Sequence, residues 1–228
     1  MLSLSLTVLE PAVLARKRIV NRLPELGDAL EELTAGVGVR KLGFSNTRTI
    51  TGGTLDNSGR DNTATQVQAR IDYAISPAIA VYVSPSTTKT DYDNDTGVFA
   101  PTRDSKETKV MVGADFDLTA LMRGEISVGY SNRDYRAAAF PVIKGPAVNA
   151  TVEYFPTQLT TLTFQASRSV NDSIQSGAAG YFDTNGGVRI DHELRRNVIL
   201  NGTMKFAELD FKGIDRKDNL FSLSSGVN

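Results

Sequence analysis

The chain has 228 residues, no cysteine, one histidine, 25 basic and 26 acidic residues, a formal net charge of −1 and a pI near 5.9. This composition excludes disulfides, thiolate metal sites, cysteine nucleophiles and multi-histidine metal sites, and its scattered Lys and Arg argue against a nucleic-acid partner. No run of 18 apolar residues is present, so no membrane helix is expected. A mean hydropathy of −0.19 is still compatible with a β-barrel, whose strands give lipid only every second residue.

Residues 1–15 are fairly apolar, but no basic residue precedes them, and Glu10 and Pro11 interrupt the run. They do not read as a secretory signal, and a signal missing from this sequence is the expectation. Residues 1–33 read as an irregular or short helical lead-in, limited by Pro24 and Gly27, and residues 34–228 as the β-barrel domain.

From Thr34 the chain becomes a series of alternating runs. Run one, 34–46, is Gly-rich and weak. Run two, 62–75, sets Val67, Ala69, Ile71, Tyr73 and Ile75 against Gln66, Gln68, Arg70, Asp72 and Ala74. Run three, 78–90, places Ile79, Val81 and Val83 on one face, with Pro85 predicting an irregularity or bulge. Run four, 106–118, opposes Val110, Val112, Ala114 and Phe116 to Lys109, Met111, Gly113 and Asp115. Run five, 124–135, opposes Ile126, Val128 and Tyr130 to Glu125, Ser127 and Gly129. Run six, 145–155, opposes Val148, Val152 and Tyr154 to Asn149, Thr151 and Glu153. Run seven, 158–170, has Leu162 and Phe164 facing away from Thr161, Thr163 and Gln165. Runs eight and nine form a hairpin around Arg195 to Asn197, in which Leu200, Met204 and Phe206 oppose Asn201, Thr203 and Lys205. Run ten, 216–227, carries Phe221, Leu223 and Val227.

The connections alternate too: short turns follow the even runs, while longer polar loops follow runs one, three, five and seven. An up-and-down antiparallel barrel in an outer membrane has short turns at one rim and longer loops at the other. The fold class predicted is therefore all-β, an antiparallel up-and-down transmembrane β-barrel of about ten strands or part of a barrel of twelve or more.

The polar face carries Arg70, Asp72, Lys109, Asp115, Glu125, Arg133, Glu153 and Lys205, the candidate lumen-lining residues. Lipid contact accounts for the scarcity of charge on the other face, where a charge costs roughly 2–4 kcal/mol at mid-depth. A soluble all-β barrel or sandwich binding an apolar small molecule would show the same alternation with the faces reversed.

Three stretches carry a family likeness: FPTQLTTLTFQASRSVNDS, GGVRIDHELRRNVILNG and FKGIDRKDN. They resemble the later part of α-proteobacterial outer membrane barrels, the second putative β-barrel porin family. Pro156, Thr157, Leu159, Thr160, Arg168, His192, Glu193, Leu194, Arg196, Asn197, Gly213, Arg216 and Asp218 occupy matching positions. The likeness is good over residues 60–228 and strongest after 145. It implies an exported chain with a signal peptide, a cell outer membrane location and a porin-like or structural barrel. Surface-polysaccharide export enters by analogy alone. The partners implied are outer membrane lipid, lipopolysaccharide and the barrel-assembly machinery, and the oligomeric state stays open. The chain stops at Asn228 without a terminal aromatic residue, so a truncated reading of a larger barrel is expected.

No catalytic, cofactor or metal site is predicted. Asp91, Asp93 and Asp95 have the spacing of an EF-hand start, but Thr96 and Thr102 stand where Gly and Glu are required. His192, at the turn end of an apolar face, reads as a packing histidine. No G-x-S-x-G elbow accompanies the serines.

Overall fold

The computed structural model describes residues 6–7, 17–18, 30–49, 52–93, 101–118, 121–173, 177–178 and 180–227. The alternating runs form ten long strands: β1 (Leu30–Phe44), β2 (Asn62–Ser76), β3 (Ile79–Tyr92), β4 (Ser105–Leu118), β5 (Met122–Tyr135), β6 (Ile143–Thr157), β7 (Thr160–Asp172), β8 (Gly180–Arg195), β9 (Val198–Lys212) and β10 (Lys217–Val227). Each pairs antiparallel with the next in chain order, giving the up-and-down sheet that the alternation predicts. The lead-in falls mostly outside the described residues. Where it is described it is extended and not helical: Lys17–Arg18 pairs with Thr34–Ala35, and β1 already begins at Leu30.

Pro85 interrupts the β2–β3 pairing, which skips Ala69/Pro85 and Arg70/Ser84, but produces no bulge. It stays in register opposite Val110 of β4, and the β2–β3 pairing keeps one register on both sides of it, from Gln68–Ser86 to Ile71–Val83. A proline cannot donate to the ladder, and the Ser84 hydroxyl donates to the Ala69 carbonyl at 3.1 Å instead. Real register shifts occur at the turn ends, at Ala74/Ser76, Tyr154/Thr157 and Glu193/Arg195.

The two faces are the reverse of a soluble protein's. Val128 is 58% exposed and Ile75 61%, while Ser131 is 1% and Ser127 3% exposed on the opposite face. Large apolar side chains point outward along β2 to β9, and the serines, glutamines and charges point in.

Toward the long-loop rim the sheet folds over itself. The β6–β7 ladder runs from Thr157/Thr160 to Val148/Arg168. Beyond it, Val170 continues the face of Phe164, which is outward lower down. Yet Val170 and Phe182 are buried against Ile143, and a methyl group at Gly145 would sit 2.8 Å from the Phe182 ring. Ile143 and Gly145 are inner-face residues, opposite Arg133 and Ser131. The upper ends of β7 and β8 therefore lie across the inner face of β6, and β7 comes within 8 Å of β5. Among the described residues β1 and β10 do not pair with each other: β10 pairs with β9, and the outer edge of β1 takes Leu6–Thr7 and Lys17–Arg18.

Residues 45–49 and 52–61, in the connection from β1 to β2, are tied down by their own hydrogen bonds. Asn57 donates from its amide to the Ser45 carbonyl at 3.0 Å, and its backbone N–H donates to Asn46 Oδ1 at 3.0 Å. The Ser58 N–H donates to Asp56 at 2.9 Å, which holds that carboxyl below the ordinary carboxylate range. The last loop, 213–216, is much tighter than its charge suggests. Gly213 has φ +99°, a conformation that favours glycine, and a side chain there would strike the Gly177 carbonyl.

Candidate pore lining and interior charge networks

All eight sequence candidates lie on the inner face, but they separate into levels. Nearest the short-turn rim, Arg123 Nε meets Glu153 Oε2 at 2.6 Å. Above that, Arg70 is a hub for three carboxylates: its Nε donates to Asp72 at 2.8 Å, its Nη1 to Glu125 at 3.3 Å, and its Nη2 to Asp115. The guanidinium lies 3.5 Å from the centre of the Tyr82 ring, and the Tyr82 hydroxyl donates to Glu125. One cation among three acids leaves this belt net negative.

Strand pairing explains the arrangement. Tyr82 faces Asp72 on one side and Gly113 on the other, and Gly113 faces Ser127. A methyl group at Gly113 would fall 2.6 Å from the Tyr82 ring and 2.7 Å from Ser127 Cβ. The missing side chain is what lets Tyr82 lie over β4 toward Glu125 on β5, and Arg70 then stacks on the ring.

A second network sits near the long-loop rim. Arg133 donates to Glu107 and, at 2.5 Å, to Asp172. Ser131 donates to the other Glu107 oxygen at 2.9 Å. The Arg133 and Glu107 side chains are 10% and 12% exposed, so this pair is nearly removed from water. Glu107, Asp172 and Tyr82 were not singled out from the sequence. Glu107 sat in run four without an assigned role, Asp172 lay beyond the end of run seven, and Tyr82 went unremarked between two valines.

Lys109 lines a cavity of about 400 Å³ between the two networks, with Gln66, Gln68 and Ser84. Lys205 is set apart, in an open groove of about 470 Å³ on the inner side of β6 to β10, beside Gln165, Asn185 and Ser222. The structure thus brings together Arg70, Asp72, Asp115 and Glu125, puts Lys109 on a cavity that Arg70 and Glu125 also line, and leaves Arg133, Glu153 and Lys205 at three other places.

A family model described as "Putative beta-barrel porin 2" matches residues 29–228, a span that takes in all ten strands. The chain belongs to that family. No curated protein matches it at a significant level. Membership in a porin-like family agrees with the exposed apolar face and the charged interior, an arrangement that a soluble barrel reverses.

The other sequence features find ordinary roles. His192 Nδ1 and the Thr160 hydroxyl are 2.9 Å apart at the turn end of the β7–β8 ladder. Asp91 pairs with Lys89 at 2.8 Å and Asp93 with Lys41 at 3.6 Å. Asp95 lies outside the described residues.

Proposed function

We propose that the chain crosses the bacterial outer membrane as a non-enzymatic β-barrel and acts as a narrow channel for small solutes. The observation that carries this reading is the inverted sheet, with apolar side chains outward and ion networks inward. Strands β2 to β9 have 13–16 residues, about 43–53 Å of chain at 3.3 Å per residue, which at a tilt near 45° still exceeds a ~25 Å apolar band. The eight candidate residues would line the lumen, with the Arg70 belt as its constriction.

Ten to twelve strands fall between a barrel filled by its own side chains and an open porin of sixteen or more. Arg70 and Arg133 each reach across several strands of the inner face. That geometry fits small ions and solutes better than a polysaccharide chain in transit, and export of a glycan is the weaker version of the proposal.

Planar-bilayer recording tests it. The purified protein is expected to give small single-channel steps, and Arg70→Ala to enlarge them about twofold or more by removing the belt's central side chain. A barrel that inserts but stays electrically silent in both forms would make the protein a scaffold and end the channel reading.

A further inference from the structure

The cavity of about 400 Å³ between the two ion networks is walled by β2 to β7, and its charges are separated. On its lower side Arg70 and Glu125 belong to the acidic belt, where three carboxylates face one guanidinium. Lys109 and Arg168 also line it, both half-buried, and among the described residues neither meets a carboxylate. Glu107, the next inner-face residue along β4 from Lys109, is taken by Arg133 and Ser131.

The two cations stand at one level. Lys109 is opposite Ser131, and Ser131 is opposite Gly145, so these three share a row of the sheet. The Phe182 ring rests on Gly145, and the Arg168 guanidinium lies 4.5 Å from the centre of that ring. The fold-over of β7 and β8 across β6 is what carries Arg168 to the cavity. An aromatic ring orients a guanidinium plane without cancelling its charge. The other contact of Arg168 is neutral, a hydrogen bond from Nη1 to the Thr184 hydroxyl at 2.6 Å, and its buried Nε has no hydrogen-bond partner among the described residues. The belt lies lower: Tyr82, which donates to Glu125, is opposite Gly113, four residues along β4 from Lys109, or about 13 Å at 3.3 Å per residue.

We infer that this cavity binds a small zwitterion of the length of a short peptide, its carboxylate held by Lys109 and Arg168 and its ammonium turned toward the acidic belt. Low-dielectric walls focus the field of both charge sets on whatever enters. A simple anion drawn to the two cations is repelled by the belt, and a simple cation meets the reverse, whereas a solute charged at both ends satisfies each. Guanidinium and ammonium donors match a carboxylate through charge-assisted hydrogen bonds. The span from Lys109 to the belt exceeds the charge separation within one amino acid, and an extended tripeptide covers roughly 10 Å. The inference deepens the channel reading, on which it rests for how the solute arrives, but binding is measurable without conduction.

The test uses the full chain, folded in detergent and checked by its gel mobility before and after heating. Radiolabelled triglycine is followed by equilibrium dialysis at fixed ionic strength, with glycine, N-acetyltriglycine and triglycinamide as competitors. Saturable triglycine binding is expected, with each competitor about fivefold weaker or more, since the acetyl group removes the ammonium and the amide removes the carboxylate. Lys109→Gln and Arg168→Gln are each expected to weaken triglycine by about fivefold and to leave triglycinamide unchanged, because the amide brings no carboxylate to either cation. Lys144→Gln, which removes an exposed charge from the opposite face of β6, is expected to bind as the parent does. No saturable binding, single-charge analogues that compete as well as triglycine, or an equal loss in Lys144→Gln would overturn the proposal. Glycine binding more tightly than triglycine would overturn the peptide length. Channel currents without triglycine binding would leave the channel reading standing and end this one. If the chain instead folds as a soluble monomer without detergent, the barrel reading fails, and the same dialysis in buffer still decides the site.

Discussion

At the scale of single residues, the acidic belt depends on an absent side chain. Gly113 sits beneath the Tyr82 ring, and the Ile126 carbonyl and Ser127 Cβ close the space from the other side at 2.7 Å. Overfilling such a site typically costs 1–3 kcal/mol. Gly113→Val is therefore expected to lower stability by about 2 kcal/mol or more and to displace Tyr82 from Glu125. Gly186→Ala, whose added methyl group would meet nothing within 4 Å, should be near neutral. Urea unfolding in detergent, followed by tyrosine fluorescence, compares the two, and equal midpoints would show that Gly113 has room to spare. The belt's members were legible as charged residues on the polar face, because strand alternation assigns faces. Their partnership was not, since Arg70 and Glu125 stand 55 positions apart and meet only through the inward curvature of four consecutive strands.

At the scale of elements, the strands could be read almost to their ends, because side chains of a strand repeat every two residues and each run kept that period. At Pro85 the expected irregularity is a gap and not a bulge: the β2–β3 pairing skips Ala69/Pro85 and Arg70/Ser84 but resumes in the same register. One feature escaped. The crossing of β7 and β8 over β6 depends on how the whole sheet twists, which no local pattern encodes. That crossing is also why Asp172, at the end of β7, reaches Arg133 on β5. The outward face makes its own prediction. Val128, 58% exposed on β5, would meet lipid, and Val128→Arg is expected to cost roughly 2–4 kcal/mol in a membrane. A soluble sheet would tolerate an arginine at so exposed a site. Refolding yield into lipid vesicles separates the two, and an unaffected variant would contradict the lipid-facing assignment.

For the molecule as a whole, an all-β sheet with an apolar exterior is expected to need detergent or lipid to fold, and to run differently on a gel before and after boiling. Unchanged mobility, together with a monodisperse monomer in plain buffer, would refute the membrane assignment. The ten-strand count and up-and-down order were legible from the alternating loop lengths, whereas closure was not. Whether two edges meet depends on shear and tilt summed over the sheet, and the described edges of β1 and β10 remain apart.

The levels of charge described for the interior also have an electrical meaning. Along β4, Glu107 in the upper network and Asp115 in the lower belt are eight residues apart, about 26 Å of strand at 3.3 Å per residue. At physiological salt, charges are screened over about 8 Å. At a strand tilt near 45° that is about 18 Å along the axis, roughly two screening lengths, so the upper network and the acid-rich belt are electrically separate levels. On the channel reading proposed above, each level could be changed by substitution without altering the field at the other.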